Sequence, residues 1–213
     1  PEIKECEASL QFSSHSLDPG ESASNSFDVE NIGNTEWTVT ANAQAQDGHD
    51  ISGWVSFDSP KSKMLGEPGS SDDSHTFTFD VTPDDSLEAG TQIAINIQGR
   101  AGTSVGCEKV LTVTVGQEFG ASMTLSKSTL SNVDPGSSGT LSIQITNEGN
   151  GQDTMAIGAD GLPPGWQVSL SQSSVTLGSA QSSNNKQSIS AEVLVPNDAS
   201  AESDVVITFT VGR

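Results

Sequence analysis

An internal repeat constrains the architecture of this chain more than any other feature of its sequence. The stretch 17–34, LDPGESASNSFDVENIGN, reappears as 133–150, VDPGSSGTLSIQITNEGN. In each copy an Asp-Pro-Gly turn leads into a polar-apolar alternation that ends in an Asn-x-Gly-Asn turn. The matching positions lie 116 residues apart without a gap. The chain therefore contains a duplicated module of about a hundred residues.

The repeat and the length together predict two domains. A chain of 213 residues has room for two ordinary domains. The joint between the copies falls at 116–119, which predicts one domain over 1–117 and a second over 118–213. Only 32% of the residues are hydrophobic. That content suits β-sheets with one wet face, because only every second strand residue then enters the core.

Apolar residues alternate with polar ones along the whole chain, and no segment has the helical period. The clearest run is Ile93, Ile95 and Ile97. About seven short strands per module, with turn signals about every 8–12 residues, are typical of an immunoglobulin-like sandwich. We therefore predict an all-β protein of two tandem immunoglobulin-like β-sandwich domains. The turn at Gly33 is predicted to use a positive φ angle, as its flanking Asn residues suggest.

The charge excludes one class of partner. The net charge is −20, with 5 basic and 19 acidic residues over 1–117 and 3 basic and 9 acidic residues over 118–213. Such a chain repels nucleic acid and anionic lipid, so we predict no nucleic-acid partner. No apolar run is long enough to cross a membrane, so we predict no membrane contact by these residues. The acidity favours solubility and suits a saline setting.

The two cysteines, Cys6 and Cys107, lie near the two ends of the first module. Those ends run side by side in a sandwich, so a Cys6–Cys107 disulfide is predicted. It would indicate an oxidising compartment outside the cytosol. The alternative is a pair of buried thiols in a cytosolic protein.

The second module stops one strand earlier than the first. Gly212 and Arg213 align with Gly99 and Arg100, after which the first module continues through 107–115. The second domain is therefore predicted to lack its last strand, which would expose unpaired backbone groups and an open groove. The apolar alternation separately matches the strand Ile207, Phe209 and Val211 with Ile93, Ile95 and Ile97.

Three interpretations of the short second module stay open. The native chain continues past Arg213; or the module closes with its own first strand; or a strand from another subunit fills the groove in trans. The arm 1–6 is a candidate donor for the third interpretation.

Three motifs of the second module resemble a known family. They are NEGN at 147–150, GLPPGWQV at 161–168 and VPNDA at 195–199. Together they make most of 121–211 similar to the alpha-galactosidase-associated, cell-surface immunoglobulin-like (CARDB-like) β-sandwich domains of secreted bacterial and archaeal proteins. The resemblance implies a sandwich fold, an extracellular setting and no catalytic residues. It implies a spacer, an adhesive or assembly module, or an accessory domain beside a secreted hydrolase.

The sequence offers few residues for chemistry. Three scattered histidines and no G-x-S-x-G motif predict a protein that is not an enzyme. Acidic turns supply hard oxygen ligands of the kind that calcium prefers, although none has EF-hand spacing. We predict that these side chains are solvated turn residues and that no cofactor is bound, with calcium as the alternative. The calcium candidates are Asp72, Asp73, Asp84, Asp85 and Glu88.

Trp54 and Trp166 follow a glycine at equivalent places and are candidate glycan platforms. The simpler interpretation is that each packs the end of its sandwich. The predicted function is a non-catalytic structural, adhesion or assembly module of a prokaryotic, archaeal cell-surface layer, appendage or filament, with protein subunits as partners. The alternative is an accessory, carbohydrate-binding region of a secreted hydrolase.

Overall fold

A computed structural model describes residues 1–200 and 204–213, and the elements found there are sixteen β-strands. The prediction of an all-β fold is confirmed. The chain divides into two compact units, Pro1–Gln117 and Glu118–Arg213, called unit 1 and unit 2 below. Each unit pairs its strands into two sheets around its own apolar core.

Unit 1 contains nine strands in a four-stranded and a five-stranded sheet. Their bounds are β1 Cys6–Leu10, β2 Ser14–Leu17, β3 Ala23–Asn31, β4 Trp37–Ala45, β5 Val55–Phe57, β6 Ser62–Leu65, β7 Ser74–Val81, β8 Gln92–Ala101 and β9 Ser104–Val115. The strand orders are β1-β3-β7-β5 and β2-β9-β8-β4-β6. All pairs are antiparallel except β2 with β9, which is parallel.

Unit 2 has seven strands in its described residues, in a four-stranded and a three-stranded sheet. Their bounds are β10 Ala121–Leu125, β11 Ser138–Asn147, β12 Asp153–Asp160, β13 Gln167–Leu170, β14 Ser174–Leu177, β15 Lys186–Leu194 and β16 Thr208–Gly212. The strand orders are β10-β11-β15-β13 and β14-β12-β16.

Strand alternation builds each core, because successive side chains point to opposite faces of a sheet. In unit 1 every second residue of β3, β7 and β8 is buried, which brings three phenylalanines and three isoleucines into one cluster. In unit 2 the inward residues of β11, β12 and β14 form a smaller cluster. The largest fully buried side chains of that cluster are Ile143, Ile145, Met155 and Leu177.

A buried asparagine holds the turn that ends the first strand of each repeat. Asn31 is 1% exposed; its Oδ1 accepts hydrogen bonds from Trp37 Nε1 and from a turn N–H, both at 3.0 Å. Its Nδ2 donates to the Gly66 carbonyl at 2.7 Å. Asn147 is also 1% exposed and donates to the Gly178 carbonyl at 2.8 Å. A buried amide with every group bonded fixes the same turn in both units.

The glycine of each turn is needed for space rather than for its φ angle. Neither Gly33 nor Gly149 has a positive φ, so the prediction for Gly33 is wrong. A Cβ atom on Gly33 would overlap the carbonyl oxygen of Ile3, and one on Gly149 would overlap that of Glu118. The first segment of each unit therefore crosses directly over this turn, where only glycine leaves room for a second backbone.

Candidate functional site

The two units differ at one sheet edge. In unit 1, β8 pairs with β4 on one side and with β9 on the other. In unit 2, β16 pairs with β12, and no described strand pairs with its second edge. An edge strand leaves a row of backbone N–H and C=O groups able to pair with another strand. The first strand of unit 2, β10, pairs with β11 in the opposite sheet, so it does not close this edge.

The pairing of strands gives the true correspondence between β8 and β16. Asn31 and Asn147 make the same hydrogen bonds in the turn before β4 and before β12. These two strands therefore correspond, and matching residues are 116 positions apart. In β4, Ala43 lies opposite Ile97, and in β12 its counterpart Ala159 lies opposite Phe209. Phe209 therefore corresponds to Ile97.

This register corrects the alignment drawn from the sequence, in which Phe209 matched Ile95. The error for the apolar run is two residues, one period of a strand, and the match of Gly212 with Gly99 is wrong by one residue, since Gly212 corresponds to Arg100. A shift of that size keeps every apolar residue on the same face, so the pattern alone does not detect it. In the corrected register Val205, Ile207, Phe209 and Val211 correspond to Ile93, Ile95, Ile97 and Gly99.

The matched side chains differ in burial. Ile95 and Ile97 are completely buried in unit 1, where β9 covers them. Their counterparts Ile207 and Phe209 are only half-buried. Val206 is 81% exposed, the largest exposure among the described large hydrophobic residues. Unit 2 therefore leaves apolar surface in contact with water at the edge that β9 covers in unit 1.

The opposite wall of this gap is the segment 130–133. Its counterpart in unit 1 is β2, which pairs with β9 in parallel from Ser14 opposite Thr112 to Leu17 opposite Val115. In unit 2 the segment 130–133 belongs to no strand. Leu17 is 6% exposed, whereas its counterpart Val133 is half-buried. In unit 1, β9 lies between β8 and β2. In unit 2 the corresponding gap lies between β16 and the segment 130–133.

Between these borders lies an open cavity of about 750 Å³. Its apolar lining comes from both sheets and from the segment 130–133, and we call it the edge groove. Its charged lining residues are Lys127 and Asp204. The apolar lining residues are Leu125, Leu130, Val133, Leu141, Trp166, Val193, Val195, Val205, Val206, Ile207 and Phe209.

The two candidate tryptophans have different surroundings. Trp54 is 4% exposed in the core of unit 1, with its ring edge-on to His49 at 5.6 Å. Its ring has no free face for a sugar. Trp166 is half-buried and lines the edge groove. Of the two, Trp166 is the residue that a bound molecule can contact.

The predicted disulfide is present. Cys6 on β1 and Cys107 on β9 are bonded, with their Cα atoms 5.1 Å apart. These strands belong to different sheets of unit 1, so the bond joins the two layers of that sandwich. It also secures the strand whose counterpart is absent from the described part of unit 2.

The acidic turns use their carboxylates locally. Asp84 accepts hydrogen bonds from the hydroxyl and the backbone N–H of Ser86, which lower the pKa of Asp84 below its usual value. Asp73 Oδ2 accepts from the Gly69 N–H at 2.8 Å. Within residues 1–200 and 204–213, no three His, Cys, Asp or Glu side chains are grouped to hold a metal ion. Calcium binding at Asp72, Asp73, Asp84, Asp85 or Glu88 stays an untested alternative.

Sequence reasoning found the short second module but missed the walls of its groove. Leu130 and Val133 stand beside a DPG turn in a polar stretch and carry no strand signal. Their position becomes evident only from the parallel pairing of β2 with β9, a contact between the two ends of unit 1. The only hint was the repeat itself, which aligns Val133 with Leu17.

Comparisons with known proteins add little. No family model matches the chain, and no curated protein matches it, so the resemblance to the CARDB-like domains stays a prediction. A solved structure described as "Chaperone-tip adhesin complex is vital for synergistic activation of CFA/I fimbriae biogenesis" is similar over 95% of this chain and 98% of that chain, with 10% sequence identity and a TM-score of 0.32. None of the described residues forms a helix long and apolar enough to cross a membrane.

Proposed function

We propose that this chain is a non-catalytic, extracellular assembly module whose second unit takes up an additional β-strand at an open sheet edge. The observation that carries the proposal is the unpaired edge of β16 above the edge groove. The same edge in unit 1 is occupied by β9, so the chain itself contains an example of the filled state.

Physical chemistry favours filling the groove with a strand. A strand added to a sheet edge pairs its backbone groups with the edge, and its alternate side chains enter pockets below. Burial of apolar surface contributes about 25 cal/mol per Å². The half-buried Ile207 and Phe209 supply such surface beside the unpaired edge. A rigid small molecule would satisfy the apolar lining but not the row of backbone groups.

Two further observations support the proposed setting. The Cys6–Cys107 disulfide forms and persists in oxidising compartments, which supports a location outside the cytosol. The net charge of −20 keeps a protein soluble where many copies are crowded together. Both fit a structural or adhesion subunit whose partners are other proteins.

Uptake of a synthetic strand tests the proposal. The probe is the peptide EKVLTVTV, which is the sequence of residues 108–115 from β9. Trp37 and Trp54 are buried, so a change in tryptophan emission on titration reports chiefly on Trp166 in the groove. We expect a saturable emission change with one peptide per chain. A peptide with Asp at the two positions of Leu111 and Val113 should give none.

A pair of matched variants locates the binding. Leu130→Gln alters the groove lining, whereas Leu194→Gln alters an exposed leucine of the same unit outside the groove. We expect the first to weaken peptide binding at least about tenfold and the second to leave it unchanged, with melting curves to verify that both fold. Absence of saturable binding to the unaltered chain would contradict the proposal. Binding of glycans without peptide uptake would favour a carbohydrate-binding accessory role.

A further inference from the structure

We infer that the strand taken up by the edge groove is a basic segment from outside unit 1 and binds in one register, antiparallel to β16 and parallel to 130–133, with branched aliphatic side chains opposite Ile207 and Val205. This inference rests on the proposed strand uptake and specifies the orientation, register and chemistry of the partner.

The orientation follows from the two borders of the groove. In unit 1, β9 is antiparallel to β8 and parallel to β2. In unit 2, β16 is antiparallel to β12 as β8 is to β4, and the segment 130–133 is matched to β2 by the repeat offset of 116 residues. A strand between them pairs with both borders in the manner of β9.

The register follows from the correspondence of Phe209 with Ile97. In unit 1, Leu111 lies opposite Ile95 and Val113 lies opposite Ile93, and both β9 residues are fully buried. Phe209 and Ile97 are 112 positions apart, so Ile95 and Ile93 correspond to Ile207 and Val205. Partner residues in the places of Leu111 and Val113 therefore lie opposite Ile207 and Val205. We therefore expect two adjacent apolar subsites, at the places that hold Leu111 and Val113 in unit 1.

The position opposite Phe209 differs from these two subsites. Its equivalent in unit 1 is Lys109, which lies opposite Ile97 and is exposed. A long, charged side chain is therefore compatible with the rim of the groove at this point. Phe209 is larger than the isoleucine it replaces, and its ring offers a flat apolar surface for the stem of a lysine or arginine. The pattern of the partner strand is thus a cation, then leucine, then valine at alternate positions.

Two segments of unit 2 are expected to become strands when the partner binds, one of them only after Asn132 leaves its positive φ angle of 56°. Counted back from Phe209, residues 204–207 correspond to the start of β8, yet β16 begins only at Thr208. The segment 130–133 corresponds to β2 and is also outside any strand. Both border the groove, and both lack the neighbour that β9 supplies in unit 1. A partner strand supplies that neighbour.

The partner strand does not come from β9 or from the arm 1–6, because both are already held in unit 1. The strand with the matching pattern, β9, is paired with β8 and β2 and bonded through Cys107. The candidate donor arm is bonded as well: Ile3 N–H donates to Asn34 Oδ1 at 2.7 Å, and the Glu5 carbonyl accepts from Ile32 at 3.1 Å.

Charge complementarity indicates that the partner strand carries a positive net charge. With 28 acidic against 8 basic residues, this chain repels another acidic polypeptide at long range. A basic partner is attracted and associates faster, and salt weakens that attraction. We expect the association rate of EKVLTVTV extended by three lysines to fall at least about tenfold between 10 mM and 500 mM salt. A glutamate-extended peptide that associates as fast at low salt would overturn the choice of a basic partner.

Disulfide trapping tests the register. In unit 1, Val110 lies opposite Asn96, and the counterpart of Asn96 is the exposed Thr208. We expect a Thr208→Cys chain to trap the peptide EKVLTVTV fastest when cysteine replaces the residue of Val110. Cysteine in place of Glu108 or Thr112 should react at least about tenfold more slowly, because diagonal neighbours lie too far apart for an unstrained bond. The native Cys6–Cys107 bond leaves no other thiol to compete.

The outcomes separate this inference from the proposed function. Peptide binding with fastest trapping at Glu108 or Thr112 overturns the register while strand uptake stands. Equal or tighter binding of the reversed peptide VTVTLVKE overturns the orientation. No binding of any peptide overturns the proposed function itself. Hydrogen exchange supplies a second readout: 130–133 and 204–207 should gain protection in the trapped complex, and an unchanged exchange there overturns the inference.

Discussion

Asn147 Oδ1 accepts a hydrogen bond from the backbone N–H of Gly149 at 2.8 Å, and Asn31 Oδ1 accepts the same bond from Gly33 at 3.0 Å. The duplicated Asn-x-Gly-Asn motif therefore fixes the conformation of the same turn in both units. A buried side-chain amide bonds the carbonyls of a neighbouring loop, and a glycine lets the first segment of the unit pass over the turn.

Removal of the amide should destabilise unit 2. Asn147→Ala leaves the buried Gly149 N–H and the Gly178 carbonyl without their partner, and each unsatisfied buried group is costly. We expect a loss of about 2–3 kcal/mol in the free energy of unfolding. The matched control is Asn185→Ala, which loses one exposed bond to Ala180. Denaturant unfolding, monitored by hydrogen exchange, shows which unit loses stability. Equal effects of both variants would contradict the stabilising role of the Asn147 side chain.

Addition of a methyl group at the crossing should also destabilise unit 2. In Gly149→Ala the new Cβ overlaps the Glu118 carbonyl oxygen, which is backbone and cannot rotate away. We expect a loss of about 1–3 kcal/mol. Gly212→Ala is the matched control, since its Cβ meets no atom within 4 Å. Melting curves of the two variants should therefore differ, and a neutral Gly149→Ala would show that the crossing segment yields easily.

Loss of the disulfide should weaken unit 1 and leave unit 2 unchanged. The bond joins residues 101 positions apart in the sequence. The chain-entropy treatment of a loop this long gives about 4–5 kcal/mol. A Cys6→Ser and Cys107→Ser double variant should lose stability of this order in the amides of unit 1, measured by hydrogen exchange. A similar loss in unit 2 would contradict the division into separate units.

Acid should weaken unit 1 before it weakens unit 2. Burial lowers the pKa of His15 below 6.5, and burial together with the nearby Lys63 lowers the pKa of His75. The unfolded chain then binds protons more readily than the folded one, so stability falls as the pH drops through 6.5 towards the folded values. Unit 2 contains no histidine and serves as the internal control. Hydrogen exchange at pH 7 and pH 5.5 should show this loss in unit 1 alone, and His15→Gln with His75→Gln should abolish it.

The sequence allowed the repeat, the all-β class and the disulfide to be predicted, because each depends on local pattern or on residue type. The register of β16 could not be predicted, since a shift of two residues preserves the side-chain alternation of Ile207 and Phe209. The reason for glycine at position 33 could not be predicted from the sequence either. Its turn context suggests a positive φ, whereas the reason for the glycine is the backbone of Ile3 from a distant part of the chain. Contacts of this kind leave no signal in a single sequence.

Like charges face each other across one strand pair, and their removal should stabilise unit 1. Glu7 on β1 lies directly opposite Glu30 on β3, and both are exposed. Directly opposed like charges are unfavourable, whereas opposite charges in the same position attract. Glu30→Lys should therefore raise the free energy of unfolding by about 0.5–1 kcal/mol at low salt. Glu36→Lys, in a turn outside the strands, changes the net charge equally and controls for the general effect of an acidic chain. The difference between the two variants should vanish in 1 M salt, and its persistence there would show that packing rather than charge is responsible.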